Sequence, residues 1–508
     1  LGFILFGNIL AITVAIALDC VKSKFLKRFS QVVILIPYLL STVIVSYIVY
    51  AFLNPTNGFV NNSVLPLLGI DPIKWYNVPK YWPVILTIVY LWMSFGYSSI
   101  LYYSTIIGID KSLYEAAVMD GATTWQQICH VTLPSLKFTI ITLVLLVLGI
   151  TMMFSASHAL SYRDNGGDSY QYATRQLFFA GAGLIAMFFL SLVDYRIFIS
   201  EWHPKLFGKV RTITLSHVAL VVSLGLTALV IPFGIRNIAD GPKRWLPIPG
   251  GSFQPSDVLK FGLIIWLAWY VSKNYQKMRH FVTGLLKPGL LLGVIVVLLM
   301  VRPHLSCVII MGVIFIVMIL VGGANLRQVL TCAAIGIPCI LLLMQVSGYS
   351  YFWERLTMDP LADPSDTTYQ TYQAILAIGS GGLWGKGFDH STQKYYYLPE
   401  AQNDFVYAIC CEEFGFIGGA LIILLFIIFL LRGFYIGRKS QDRFGLMLAT
   451  GISLQVGAQA LFNIGVNVCA LPNTGISLPF FSYGGTALFV LLCEIGVLLS
   501  ISRRANLN

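Results

Sequence analysis

The chain has 508 residues, of which 57% are hydrophobic and only 11% charged, and its mean hydropathy is +0.78. This composition excludes a water-soluble globular protein of this length and predicts a polytopic membrane protein. The formal net charge of +11 requires no nucleic-acid partner, because Lys and Arg in cytoplasmic loops explain most of it. The nine cysteines show no spacing typical of metal ligands, so no protein metal site is predicted.

Long apolar runs recur along the whole chain. Crossing the hydrocarbon core takes roughly 20 apolar residues, and about thirteen segments reach that length. Clusters of Lys and Arg lie in alternate loops, which predicts that the polar segment 347–404 lies outside the cytoplasm. The sequence thus predicts an all-α integral membrane protein with a large extracytoplasmic loop. The predicted spans are residues 1–18, 29–53, 83–107, 138–157, 172–193, 212–232, 256–272, 285–301, 304–322, 327–346, 403–431, 444–466 and 483–501.

The first segment of the chain, residues 1–136, contains the run EAAVMDGATTWQQICHVTLP at 115–134. Its small alanines and its glycine allow close helix docking, although an ordinary amphipathic linker is the alternative interpretation. The spacing resembles the cytoplasmic coupling loop of ABC-transporter permeases for sugars. That resemblance implies that Glu115, Ala116 and Gly121 dock on an ATPase subunit. The helices that normally follow this loop are missing, and the start at Leu1 rather than Met indicates a fragment at the N-terminus.

A second series of motifs runs through residues 137–508. In order and spacing the series resembles the SEDS family of shape, elongation, division and sporulation proteins, typified by FtsW, RodA and SpoVE. The resemblance implies a ten-helix bundle with a large extracytoplasmic loop, in the inner (plasma) membrane of a bacterium. The motifs are MMFSAS (152–157), DYRIF (194–198), GPKRWLPIPGGSFQPSDVLK (241–260), RPHLS (302–306), DPLADPSDTTYQ (359–370), IGSGGLWGKG (378–387), QKYYYLPEAQNDF (393–405), EEFG (412–415) and NTGISLPFFSYGG (473–485).

The activity that the resemblance implies is a peptidoglycan glycosyltransferase. Such an enzyme polymerises lipid II, a disaccharide-pentapeptide on undecaprenyl diphosphate, during cell division or cell-shape maintenance. The reaction needs a base for the acceptor hydroxyl and positive charge for the departing diphosphate. It needs no strong acid, because the diphosphate leaves as a stable anion. By the resemblance Asp363 is the base, whereas a turn begun by an Asp-Pro pair is the structural alternative.

Positively charged residues near the outer side are candidates for binding the diphosphate, because arginine and lysine both bind phosphate oxygens. A divalent cation, Mg²⁺ or Mn²⁺, could assist them. Ser256 or Asp257 could also cap the helix that begins in the QPSD motif. The predicted substrate-binding residues are Lys243, Arg244, Gln254, Ser256, Lys260, Lys394, Glu400 and Ser482.

Three acidic residues lie inside apolar spans, where charge is costly: Glu412, Glu413 and Glu494. Structural pairing and substrate contact both remain open for them. His304, at a predicted helix start, is interpreted as a hydrogen-bonded structural residue. The segment SLPFFSYGG at 477–485 predicts an irregular re-entrant turn that lines a cavity.

Several motifs look more like FtsW or SpoVE than RodA, although NIGVN at 463–467 favours RodA. The family's usual partner is a class B penicillin-binding protein, a transpeptidase, within the divisome or elongasome. Two alternative functions remain. A lipid II flippase would not depend on Asp363, and a sugar-import permease would be sensitive to Glu115 or Gly121.

Overall fold

The structure is a computed structural model. It describes residues 2–21, 23–67, 69–109, 111–202, 205–206, 209–210, 213–235, 244–248, 251–301, 304–334, 336, 368–473 and 475–505. The chain divides into two compact units, Leu1–Ile140 and Ile141–Asn508.

The first unit is helical. Helix α4 packs against α1 and α2, and the hydroxyl of Tyr102 donates a hydrogen bond of 2.5 Å to Asn8 Oδ1. Its longer helices are α1 (Gly2–Cys20), α2 (Lys24–Leu39), α3 (Thr42–Leu53), α4 (Trp82–Ile107) and α5 (Lys111–Met119). Short helical turns cover Val60–Val64, Leu65–Leu67, Trp75–Asn77, Pro79–Tyr81, Thr124–Gln127 and Ile128–Thr132.

The second unit contains most of the remaining helices and three short antiparallel hairpins. Helix α6 begins in the first unit and continues into the second. The helices are α6 (Leu133–Asp164), α7 (Gln171–Leu192), α8 (Leu215–Phe233), α9 (Pro255–Asn274), α10 (Lys287–Met300), α11 (Leu305–Val321), α12 (Tyr369–Gly381), α13 (Val406–Lys439), α14 (Arg443–Asn467) and α15 (Gly485–Arg504), with short turns at Tyr195–Ile199, Tyr275–Lys277 and Val282–Leu286. The hairpins pair Glu201–Trp202 with Ile213–Thr214, Lys205–Leu206 with Lys209–Val210, and Leu246–Ile248 with Gly251–Phe253.

The helices of the second unit pack in pairs. Helix α7 contacts α15, α13 contacts α14, and α9 lies between α8 and α14. A buried cluster that includes Ala156, Ala377, Ala408 and Phe405 joins α6, α12 and α13 to the segment 398–405. Small side chains allow membrane helices to approach closely. The cluster therefore holds the segment 398–405 firmly on these helices.

The membrane-spanning fold predicted from composition is confirmed, and the structure refines the spans. Among the described residues, eight helices are long and apolar enough to cross a membrane, or nine if α2 and α3, which meet at 97°, form one span. The predicted span 304–322 is the shorter apolar helix α11. Helix α9, at the predicted span 256–272, carries Asp257 and Lys260 in its first two turns. Most of the predicted span 327–346 lies outside the described residues.

The prediction that residues 347–404 form one loop was wrong, because the structure has a helix, α12, from Tyr369 to Gly381 within this segment. The apolar stretch around Ala374 and Ala377 packs on α13 and drives this helix. Helix α13 itself is broken at Gly415, where φ is 68°. The amide of Phe416 donates to Gly382 O at 2.8 Å, so the loop after α12 satisfies the backbone at the break.

Candidate functional site

A cavity of about 990 Å³ lies within the second unit, between α6, α7, α9, α14, α15 and the segments 394–404 and 475–485. Seven of the residues predicted to bind substrate line it, although they come from separate parts of the chain. They are Arg244, Gln254, Ser256, Lys260, Lys394, Glu400 and Ser482. The two other predicted residues, Asp363 and Lys243, lie outside the described residues.

The cavity wall on α9 is set by the start of that helix. Gln254 occupies the N-cap position with extended backbone, and Pro255 begins the helix, where its fixed φ is favourable. The expected cap from Ser256 or Asp257 was wrong, because both residues are already inside the helix and no side chain caps it. Gln254 Nε2 lies instead 3.3 Å from His304 Nε2, which confirms His304 as a hydrogen-bonded residue.

Lys260 carries positive charge into this wall. Its Nζ lies 2.9 Å from Asp257 Oδ1, one helical turn earlier, and the two side chains are 8% and 12% exposed. A buried ammonium needs such a partner, because removing it from water is costly. Asp257 therefore holds the ammonium in place at the cavity.

Lys394 is the second buried lysine at the cavity, and its partners differ from those of Lys260. Its side chain is fully buried, and its Nζ contacts Asp389, Glu413 Oε1 at 3.2 Å and Ser155 Oγ at 3.2 Å. Ser155 also donates to Glu413 Oε1 at 2.5 Å. Two carboxylates thus share this ammonium, which ties the loop before residue 400 to α6 and α13.

Glu412 is saturated by the loop that follows α12. Its carboxylate accepts from Lys386 Nζ at 2.6 Å, from the Thr392 amide at 3.0 Å and from the Gln393 amide at 3.2 Å, with Ser391 as a further donor. Of the two roles left open by the sequence, structural pairing with lysine is therefore the one that Glu412 and Glu413 have in this structure. We call the segment 382–394, together with Glu412 and Glu413, the loop clamp.

Glu400 and Ser482 belong to a contact between two irregular segments. Glu400 has φ of 55° and accepts a hydrogen bond from Asn403 Nδ2. The Ser482 hydroxyl donates to Asn403 O and accepts from the Leu478 amide at 2.7 Å. The non-helical turn predicted at 477–485 is confirmed, and its residues line the cavity.

Several polar residues that line the cavity were missed from the sequence. Arg163, at the end of α6, lies over the Tyr396 ring at 4.8 Å and contacts Asp164 at 2.9 Å. Arg175 lies near the start of α7, and Gln455 lies in the middle of α14. Arg175 and Gln455 lie inside predicted apolar spans, and a polar residue in such a span is itself a signal of function.

The described residues contain no group of three or more His, Cys, Asp and Glu arranged to hold a metal ion. The divalent cation considered from the sequence remains a prediction.

The coupling-loop residues of the first unit lie on its surface. Glu115 and Ala116 are exposed on α5, and Gly121 follows that helix with φ of 76°. Met119 and Trp125 beside them are 87% and 71% exposed. The loop therefore presents apolar side chains outward.

Residues 136–507 match the family described as cell cycle protein, FtsW, RodA and SpoVE. Residues 7–201 match the family described as binding-protein-dependent transport system inner membrane component. The chain is 38% identical over 378 residues to Stage V sporulation protein E of Bacillus subtilis. The alignment covers 73% of this chain and 98% of that protein. It is 33% identical over 361 residues to the probable peptidoglycan glycosyltransferase FtsW of a Geobacter species, covering 71% and 94%.

Two solved structures are similar over the same part of the chain. A peptidoglycan synthase complex, described as coordinating polymerization and crosslinking, contains a chain with 26% identity and a TM-score of 0.52, covering 70% of this chain and 97% of that one. The rod shape determining protein RodA of Thermus thermophilus has 25% identity and a TM-score of 0.51, covering 73% and 97%.

Proposed function

We propose that this chain, which belongs to the FtsW, RodA and SpoVE family of cell cycle proteins, polymerises lipid II into glycan strands. The observation that carries the proposal is the convergence of seven predicted substrate residues, from Arg244 to Ser482, on one cavity. The names of its relatives, among them peptidoglycan glycosyltransferases, support the same activity.

In this proposal, positively charged residues of the cavity bind the diphosphate and a separate residue acts as the base. Arg244 and Lys260 supply positive charge for the diphosphate of the donor substrate. We assign Asp363 as the base that takes the proton of the acceptor sugar hydroxyl. The hydroxyl oxygen then forms a bond to the anomeric carbon, while the bond from that carbon to the diphosphate breaks. The diphosphate leaves with the electron pair as a stable anion, so no general acid is required.

Other predicted residues receive supporting roles. Lys394 is bound to Asp389 and Glu413, so we propose that it fixes the cavity wall and acts on the diphosphate only through the field it creates. Glu400 and Ser482 shape the wall through their contacts with Asn403. Mg²⁺ or Mn²⁺ bound to the diphosphate would add positive charge at the same place.

We place the protein in the inner membrane with residues 347–404 outside the cytoplasm, because Lys and Arg favour the cytoplasmic loops. Crosslinking of the product requires a transpeptidase, and we propose a class B penicillin-binding protein of the divisome or elongasome as the partner. The similar chain in a peptidoglycan synthase complex supports this assembly.

We assign the glycosyltransferase to residues 137–508 and a permease-like segment to residues 1–136. The exposed Met119 and Trp125 beside Glu115, Ala116 and Gly121 support docking of that segment on an ATPase subunit. Binding of a sugar-importer ATPase to the full chain, and its loss in Gly121→Trp, would test this role.

The glycosyltransferase is tested with the full chain purified in detergent, given lipid II and Mg²⁺ or Mn²⁺, with products separated on a gel. We expect glycan polymer from the parent and at least a hundredfold less from Asp363→Asn, since a positioned base contributes on the order of 10²–10⁴-fold. Asp359→Asn, in the same segment and also before a proline, is the matched control and should retain activity. Polymer from Asp363→Asn at the parent rate would refute the assignment of the base. Absence of polymer from a folded parent that binds lipid II, with its partner added, would favour the flippase.

A further inference from the structure

A buried polar pair lies at the side of the cavity formed by α14 and α15. Glu494 on α15 is 0% exposed, and Gln455 on α14, which lines the cavity, is 3% exposed. Gln455 Nε2 donates to both carboxylate oxygens of Glu494, at 2.9 Å to Oε1 and 2.8 Å to Oε2. Polar groups buried this deeply in a membrane protein are costly and often functional.

The pair fixes the direction in which the Gln455 amide faces. The Gln455 amide turns its NH₂ group toward Glu494, whose two oxygens accept from it. Its carbonyl oxygen then points away from Glu494, and this oxygen has no hydrogen-bond partner among the described residues. Asp257 Oδ2, from another residue that lines the cavity, is also without such a partner.

The residues that line the cavity carry two kinds of polar group. Arg244 and Lys260 supply positive charge, whereas Gln455 and Asp257 each carry a buried oxygen atom that can accept a hydrogen bond and has no such partner among the described residues. A phosphate has no N–H or O–H to offer such acceptors once it is ionised. A sugar has hydroxyl groups, and an amino sugar also has an amide N–H. The acceptors thus match the glycan part of a substrate, and the cations match its diphosphate.

We infer that Gln455 binds a hydroxyl or amide N–H of the glycan substrate through its side-chain carbonyl oxygen, and that Glu494 is a positioning residue for Gln455. This inference rests on the proposed function and assigns one contact within it. Leaving a buried acceptor unpaired costs free energy, which a donor group on the substrate recovers on binding.

The test measures lipid II polymerisation by the full chain, with KM, kcat and the thermal unfolding midpoint of each variant. We expect Gln455→Leu to raise KM at least tenfold with kcat within threefold of the parent. Glu494→Met should raise KM by a similar factor, because the amide is no longer held. Glu494→Gln keeps an acceptor for the Gln455 NH₂ group and should return KM to within threefold of the parent.

A double variant separates positioning from an independent effect. If Glu494 acts through Gln455, then Gln455→Leu combined with Glu494→Met should have the KM of Gln455→Leu alone. Ser453→Ala is the matched control, since this buried hydroxyl on α14 donates within its own helix, to Ala449 O at 2.7 Å. A rise in the KM of the double variant equal to the product of the two single-variant rises would overturn the positioning role. An unchanged KM in Gln455→Leu would overturn the substrate contact while the proposed function stands.

Failure of the proposed function gives a different result, namely no polymer from the folded parent. In that case the same variants are compared for direct binding of lipid II to the purified chain. At least tenfold weaker binding by Gln455→Leu, but not by Ser453→Ala, would support the contact without the polymerase activity. Equal binding by the parent and Gln455→Leu would refute it.

Discussion

Two buried lysines of the second unit, Lys260 and Lys394, both line the cavity but differ in the ion pairs that they form. Lys260 pairs with Asp257 inside one helix, and the side chains keep 8% and 12% exposure at the cavity wall. Lys394 has no exposed side-chain surface and joins Ser155 on α6, Asp389 in the loop and Glu413 on α13. The first pair is local in sequence, whereas the second connects three distant segments.

This difference predicts which substitution should lower substrate affinity and which should lower the stability of the fold. An ion pair within one helix leaves the helix intact when it is broken, because the backbone hydrogen bonds remain. An ion pair in the loop clamp holds separate segments together, and breaking it leaves a buried carboxylate uncompensated. We therefore expect Lys394 to determine stability and Lys260 to determine substrate affinity.

The largest effect should follow from Lys394→Met. Among the described residues, Glu413 would then keep only the Ser155 hydroxyl as a donor, and its side chain is fully buried. Loss of one partner of a buried ion pair costs about 3–5 kcal/mol, so the thermal unfolding midpoint in detergent should fall strongly. Lys277→Met, at an exposed position, is the control and should leave the midpoint unchanged. An unchanged midpoint in Lys394→Met would remove the distinction between the two lysines.

A smaller loss of stability should follow from Gly415→Ala, which tests the backbone contact between the loop clamp and the break in α13. Gly415 has φ of 68°, and an added Cβ would lie 2.4 Å from both Gly385 N and Leu383 O. Backbone strain of this kind costs about 1–3 kcal/mol. Gly312→Ala on α11 is the matched control, because no atom of the described part of the chain lies within 4 Å of its added Cβ and Ala favours a helix. Equal unfolding midpoints for the two variants would show that the clamp tolerates a shift at Gly415.

The sequence predicted the membrane fold and the cavity residues better than it predicted their contacts. Arg244, Gln254 and Ser482 were identified because their motifs are compact in sequence. The loop clamp was not, because Lys394 and Ser155 are 239 positions apart and no local pattern joins them.

Local rules also failed where packing decided the outcome. Helix α12 forms within a segment predicted as a loop, since Ala374 and Ala377 are buried against other helices. The expected cap at Ser256 failed because Pro255 already starts the helix.

Asp363 lies outside the described residues, so its role as the base stays a prediction.

Lys260→Met should act on the substrate more than on the fold. The variant removes positive charge from the cavity, while Asp257, which lines the cavity, keeps 12% of its side chain exposed. We expect the KM for lipid II to rise about tenfold, which corresponds to about 1.4 kcal/mol. Lys260→Arg keeps the charge and should recover most of the affinity, as measured by initial rates at varied lipid II. A loss of thermal stability as large as that of Lys394→Met, with no change in KM, would contradict the comparison.

The smallest effect should come from Lys386→Met, also in the loop clamp. Lys386 is 33% exposed at its side chain and contacts Glu412 at 2.6 Å. Glu412 differs from Glu413 because the Thr392 and Gln393 amides and two serine hydroxyls also donate to it. These donors compensate the carboxylate after Lys386 is lost, so we expect destabilisation of about 1 kcal/mol, the value of one hydrogen bond. A fall in the unfolding midpoint equal to that of Lys394→Met would mean that charge, rather than the number of donors, stabilises the clamp.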